Sequence, residues 1–345
     1  MRYRVGAENR CRRRMNADAL PLPWLVADIG GTNARFGWVS ERDAPVAQVR
    51  VLRTAEHADP AAAARAYLDA LAAALGSAYA PPRAAAFAVA TSVGEDRIAL
   101  TNSAWSFSRR DAERALGLQR LVVLNDFEAL ALALPLLQGP ELRAVGAAGA
   151  PAANAARAVI GPGTGLGVAG LLPFDGRWLA LPGEGGHATL AAADDFESAL
   201  IAAARREHGH VSAERLLSGA GLALLERALA AVLGQAARAR SAEQIVAAAL
   251  AGGGALAERS VQQFCAFLGG FAGDVALTLG ARGGVYIGGG IVPRLGGLFE
   301  RSPFRARFES KGRFEAYLRA IPTWAIVDTL AALAGAAARL AQERA

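Results

Sequence analysis

The sequence predicts a two-domain α/β protein, and three observations carry that prediction. Apolar, strand-like runs alternate with alanine- and leucine-rich helical stretches along the chain. At 345 residues, with 53% hydrophobic and 20% charged residues, the chain exceeds one typical core and has the composition of a globular protein. Two glycine-rich turns, Ala27-Asp28-Ile29-Gly30-Gly31-Thr32-Asn33 and Gly161-Pro162-Gly163-Thr164-Gly165-Leu166-Gly167, each stand between apolar runs. Glycine lets successive N–H groups converge on an anion, so two such turns facing each other would clamp one polyphosphate.

Residues 24–29, 34–39 and 46–53 read as three strands of an antiparallel meander. A helix over 60–74 and strands over 84–90 and 121–124 follow. Ser108 with Asp111 matches a capping box that starts a short helix ending near Gly117, and Pro135 ends the helix that begins at Asp126. Beyond the alanine-rich stretch 139–154, a second strand, glycine turn and strand begin at Arg157, a structural echo of the first without sequence repetition. Helices are expected over 194–207, 241–250 and 258–279, strands over 285–287 and 324–327, and a last helix from Asp328. The expected division is a small α/β domain over 21–136, completed by the C-terminal helix 328–345, and a large α/β domain over 137–327. Residues 1–20 read as a basic leader, either disordered or a mis-assigned start with Met15 as the first residue translated.

The formal net charge is +6, but residues 1–14 hold six arginines against one glutamate, which leaves the remainder close to neutral. A nucleic-acid partner is therefore discounted, because its basic face would lie on the folded domain. No window offers the roughly 18 uninterrupted apolar residues of a membrane span, and the protein is expected to be soluble. Cys11 and Cys265 are too few for a disulfide framework, which fits a cytoplasmic location. Four histidines make a histidine-rich metal centre unexpected, so any metal would arrive with a nucleotide. His57 and His208 read as surface residues.

Each glycine turn alone is a weak signal, since such turns also close hairpins that bind nothing. Lys311 is the only lysine, which excludes a Walker P-loop and a protein-kinase nucleotide site. A Rossmann turn is disfavoured because a strand, not a helix, follows each glycine run. Leu121-Val122-Val123-Leu124-Asn125-Asp126 ends an apolar strand in Asn-Asp at a helix start. Asp126 there is either an N-cap or a carboxylate that accepts a proton from a substrate hydroxyl, and both roles can coexist. Leu181-Pro182-Gly183-Glu184-Gly185-Gly186-His187 presents an acid and a base from one turn, or is merely a glycine-rich loop with polar tips. Glu214, in His210-Val211-Ser212-Ala213-Glu214-Arg215, reads by itself as a first-turn helix residue with a dipole role.

At these residues the chain resembles the bacterial glucokinases of the hexokinase, actin and Hsp70 superfamily, in the branch lacking the zinc-binding cysteine motif. The likeness runs from about Trp24 to the C-terminus. Besides the motifs above it includes Leu100-Thr101-Asn102-Ser103-Ala104-Trp105-Ser106-Phe107-Ser108, Leu217-Ser218-Gly219-Ala220-Gly221-Leu222, Gly288-Gly289-Gly290-Ile291-Val292-Pro293-Arg294 and Lys311-Gly312-Arg313-Phe314. The family usually has proline where Ala220 stands.

The resemblance implies a two-domain actin-like (ribonuclease H-like) ATPase fold with an interdomain cleft. It implies ATP-dependent phosphorylation of the glucose 6-hydroxyl, with Asp126 as general base. Asn102, Asn125, Asp126, Glu184, His187 and Glu214 are then the glucose-binding positions. Ala27, Asp28, Ile29, Gly30, Gly31, Thr32, Asn33, Gly163, Thr164, Gly165, Gly289 and Gly290 would bind ATP, with Asp28 holding Mg2+ through water. Glucose and MgATP are the implied partners, a homodimer the implied assembly, and closure of the two domains over the sugar the implied motion. Competing readings are a kinase of another hexose or amino sugar, and a non-catalytic actin-like ATP-binding or sugar-sensing protein.

Overall fold

The computed structural model describes residues 20–343 other than Asp43, Asn102, Ala147, Ala148 and Ala237. The expected leader, Leu20 apart, and the candidate Asn102 lie outside the described residues. The chain separates into two compact units, one formed by residues up to Leu136 with those from Leu330 onward, the other by Leu137–Thr329.

In the first unit β1 (Trp24–Ile29), β2 (Asn33–Val39) and β3 (Ala47–Arg53) form the expected antiparallel meander. Beyond them β4 (Ala84–Val89) joins β1 in parallel. A two-stranded hairpin of β5 (Arg97–Ala99) and β6 (Ser106–Ser108) stands apart, and β7 (Arg120–Asn125) joins β4 in parallel, giving the sheet order β3-β2-β1-β4-β7. Every residue of β4 is buried, as expected for a strand covered on both faces.

Helix Pro60–Leu75 starts where Asp59 accepts the Ala62 N–H at 2.8 Å, with proline in the first turn. The capping box expected at Ser108 is only half formed. Ser108 Oγ accepts the Asp111 N–H, but Asp111 pairs with Arg114 instead of reaching back to the N-cap, and Asp96 accepts the Ser108 hydroxyl at 2.6 Å and the Arg110 N–H at 3.1 Å. His57, read as a surface residue, is half-buried, and its carbonyl accepts the indole N–H of buried Trp105 at 2.9 Å. Helix Ala331–Gln342 packs on helix Asp126–Ala133, and Gly335 makes the approach possible, since a Cβ there would fall 1.7 Å from the Ala129 carbonyl oxygen.

The second unit repeats the plan. Its sheet runs β11 (Arg177–Gly183), β10 (Leu166–Phe174), β9 (Arg157–Pro162), β12 (Val285–Ile287) and β13 (Thr323–Ile326), with β8 (Leu142–Ala144) added antiparallel at the far edge. Again three antiparallel strands are followed by two parallel ones. Strands β8 and β11 and helix Gly219–Val232 are elements that the sequence did not announce. Helices Asp195–His208, Ala242–Leu250 and Ala255–Leu279 lie close to the expected spans.

Candidate active site

In the first unit the β1–β2 turn is closed by Gly30 N–H donating to the Asn33 carbonyl at 3.0 Å. Its outer carbonyls are held from below. Thr54, buried at the end of β3, donates its hydroxyl to Gly31 O at 2.8 Å and its N–H to Thr32 O at 3.0 Å. In planar trans peptides the following N–H groups, those of Thr32 and Asn33, then point the opposite way, as anion binding requires. Thr54→Val should leave the Gly31 carbonyl short of a partner. The expected result is a loss of about 1–2 kcal/mol in urea unfolding with a several-fold rise in the ATP KM; an unchanged KM would separate Thr54 from loop geometry.

Asp28 and Arg35 face each other across β1 and β2, and Asp28 Oδ2 accepts from Arg35 Nη1 at 3.0 Å. Burial pushes the Asp28 carboxyl above its usual range, while the Arg35 guanidinium opposes that shift. Ala27 and Ile29 are fully buried in the core, so only their backbone is available to a ligand.

At the end of β7 the N-cap is Asn125, not Asp126. Asn125 Oδ1 accepts the N–H groups of Phe127 at 2.9 Å and Glu128 at 3.3 Å, and its amide donates to the Thr91 carbonyl. Asp126 is the first helical residue, half-buried, with Oδ1 accepting the Phe127 N–H at 3.0 Å. Burial raises the neighbouring Glu128 carboxyl, against the pull of Arg339.

In the second unit the β9–β10 turn is tied internally by Gly163 N–H to Gly165 O at 2.8 Å. Two further segments join it. Gly219 N–H donates to Gly163 O at 2.9 Å, and Gly288 N–H donates to Ile160 O at 2.8 Å. Gly289 follows with φ +77°, and a Cβ there would meet the Pro162 carbonyl oxygen at 2.4 Å. These segments border one cavity of about 820 Å³, lined by Gly163, Thr164, Gly219, Ala220 and Gly290 together with apolar Val246, Ala247 and Leu250. Gly219 and Ala220 open a 14-residue helix, so its dipole adds positive potential where glycine backbone is exposed. Small backbone-rich residues for phosphates and an apolar wall for a base make this a nucleotide-shaped site.

On the same unit β11 runs into the turn Gly185–His187. The turn lies tight against β10: a Cβ on Gly186 would fall 2.1 Å from the Leu166 carbonyl oxygen. Glu184 and His187 project from it, largely exposed, with His187 Nε2 3.9 Å from Glu184 Oε2. His187 Nδ1 lies 4.0 Å from Glu214 Oε1. Both separations exceed hydrogen-bond length, so hydroxyls of a ligand can be accepted and donated among the three groups. Glu214 is in the first turn of the Ala213–Leu216 helix as the sequence indicated, yet its carboxylate does more than face that helix's dipole, because Oε2 accepts the Leu166 N–H at 2.8 Å.

Sequence reasoning missed Thr54, Arg35 as the partner of Asp28, and the helix opening at Gly219. Only the last had a local signal, Ser218 capping the Gly221 N–H at 3.1 Å.

The Glucokinase family matches residues 25–343. The glucokinase of Aromatoleum aromaticum is 49% identical over 318 residues, covering 92% of this chain and 94% of that protein. A bifunctional protein glk of Burkholderia thailandensis is 47% identical over 325 residues, 93% of this chain, which spans 49% of that longer protein. A crystal structure of a glucokinase from an Antarctic psychrotroph matches with a TM-score of 0.85 at 38% identity, covering 93% of this chain and 99% of that one. With the sheet order β3-β2-β1-β4-β7 repeated as β11-β10-β9-β12-β13, a family match across nearly the whole described length and relatives at this identity, the chain belongs to the glucokinase family and has its actin-like ATPase fold.

Proposed function

We infer that this protein transfers the terminal phosphoryl group of ATP to the 6-hydroxyl of glucose, giving glucose 6-phosphate and ADP. The observation that carries the reading is the trio Glu184, His187 and Glu214, whose polar atoms stand about 4 Å apart on the unit that also holds the nucleotide-shaped cavity. A hexose presents neighbouring hydroxyls that both donate and accept, and carboxylates with an imidazole meet both needs. A ligand lacking one hydroxyl would leave a polar group unpaired, which gives the site its selectivity.

In this reading Asp126 accepts the proton of the 6-hydroxyl as that oxygen attacks phosphorus, and ADP leaves with the electron pair of the broken P–O bond. Asn125 keeps Asp126 at the head of its helix and offers its second amide hydrogen to the sugar. The phosphates meet backbone N–H groups and the helix opening at Gly219, because the single lysine, Lys311, is paired with Asp274 at 2.6 Å. Asp28, anchored through one oxygen by Arg35, fits a Mg2+ that takes most of its ligands from phosphate and water. Bound there, the ion would neutralise charge on the phosphates. Asn102 is proposed as a further sugar contact by family likeness alone.

The test is sugar 6-phosphate formation from MgATP across glucose, mannose, fructose, galactose and N-acetylglucosamine. Turnover concentrated on glucose is expected. Preference for another sugar would replace the substrate and keep the chemistry, while no transfer to any sugar would overturn the reading. A homodimer and a cytoplasmic location belong to the same proposal. Among the described residues no helix is long and apolar enough to cross a membrane, and light scattering on the purified chain would read the assembly.

A further inference from the structure

One side chain is shared by the sugar-side trio and the phosphate turn. Glu214 Oε1 is the oxygen that faces His187, and Glu214 Oε2 accepts the N–H of Leu166, the residue that follows Gly165 in the turn. With the Glu214 carboxylate where it stands, a side chain at Gly165 would displace it. A Cβ there would lie 2.5 Å from Glu214 Oε2 and 3.3 Å from its Cδ, and apart from the adjacent residues of the chain no atoms outside Glu214 come within 4 Å. Nor does backbone conformation demand glycine at this position, since Gly165 is absent from the left-handed glycines of the chain. The same turn is held to the nucleotide cavity through Gly163, whose N–H bonds to the Gly165 carbonyl and whose own carbonyl accepts from Gly219.

We propose that Glu214 couples the two substrates. A sugar hydroxyl on Oε1 fixes the carboxylate plane, and Oε2 then fixes the Gly165–Leu166 peptide and with it the phosphate turn. Sugar and nucleotide therefore bind synergistically, each tightening the other by the same factor, as linkage requires. The inference rests on the reading of Glu214 as a sugar ligand.

The experiment is calorimetric binding of glucose and of ADP, each with and without the other, to the wild-type chain and to Gly165→Ala, Gly163→Ala and Glu214→Ala. Wild type should show a coupling of about fivefold or more. Gly165→Ala, a change in the phosphate turn, should weaken glucose about tenfold or more in the absence of any nucleotide, and should reduce the coupling. Gly163→Ala meets no atom within 4 Å and should leave nucleotide-free glucose binding as it was. Glucose affinity unchanged in Gly165→Ala, or equal loss in both glycine variants, overturns the coupling. If Gly165→Ala does not fold, Glu214→Ala decides: ADP affinity measured without glucose should fall several-fold, and no change refutes the proposal. Glucose affinity untouched by Glu214→Ala would instead overturn the sugar-ligand reading, so the two failures are distinct.

Discussion

Asp126→Asn should lower kcat for sugar phosphorylation by about 10²–10⁴-fold, the range that a positioned general base supplies, with the glucose KM changed only a few-fold. The substitution keeps shape and hydrogen-bonding reach and removes the ability to take up a proton. It also spares the fold. The helix beginning at Asp126 is capped by Asn125, whose side chain satisfies the Phe127 and Glu128 N–H groups, so the variant keeps that cap while losing a favourable charge at the helix start, worth about 0.3–1 kcal/mol. Asn125→Ala is the contrasting case, with a cap worth about 1 kcal/mol removed and Asp126 left in place but less firmly oriented. Steady-state kinetics with unfolding measured in parallel checks both. A kcat within tenfold of wild type in Asp126→Asn would reduce the carboxylate to an orienting group and require another proton acceptor.

What was legible in the sequence follows from how local each signal is. Strands β1, β4, β7 and β12 are continuous apolar runs because both faces are covered, and such runs mark a strand without knowledge of its neighbours. Strand β11 gives no such mark: it ends in Pro182 and Gly183, alternates exposed and half-buried residues, and exists because β10 pairs with it along its whole length. Helix Gly219–Val232 was obscured by its Gly-Ala-Gly start, which reads as a turn, although those small residues are what let it open onto the cavity. In the candidate site, Glu184 and His187 lie on one turn and their spacing alone brings them together. Glu214 sits on another element, and it comes beside His187 through contacts between distant segments, among them the isolated bridge between Thr189 and Ser212, the Ala213 N–H donated to Ala188 O at 2.8 Å and the Leu190 N–H donated to Val211 O at 3.1 Å. No local pattern encodes a contact of that kind, and family likeness supplied the residue where spacing did not. Thr54 is a similar case, a buried hydroxyl whose partner is a backbone carbonyl far earlier in the chain.

Arg240→Ala should be strongly destabilising, costing about 3–5 kcal/mol, a large share of the 5–15 kcal/mol that holds a typical domain folded. Glu226 is 1% exposed, and Arg240 meets it with two parallel hydrogen bonds of 2.9 and 2.8 Å. Removing the guanidinium strands a buried carboxylate, which is far worse than removing both charges together. Position makes the pair matter to function as well. Glu226 belongs to helix Gly219–Val232, whose first residues line the cavity, and Arg240 directly precedes Ser241, the N-cap of helix Ala242–Leu250, which supplies Val246 and Leu250 to the same cavity. The ion pair thus pins two walls of the nucleotide-shaped site to each other. The double change Glu226→Leu with Arg240→Leu should recover much of the lost stability in urea unfolding, since no orphan charge remains, while the ATP KM stays raised because the geometric tie is gone. Recovery of both quantities together would show that Arg240 serves the fold alone; a raised ATP KM beside an unaltered glucose KM would show that it also sets the nucleotide site.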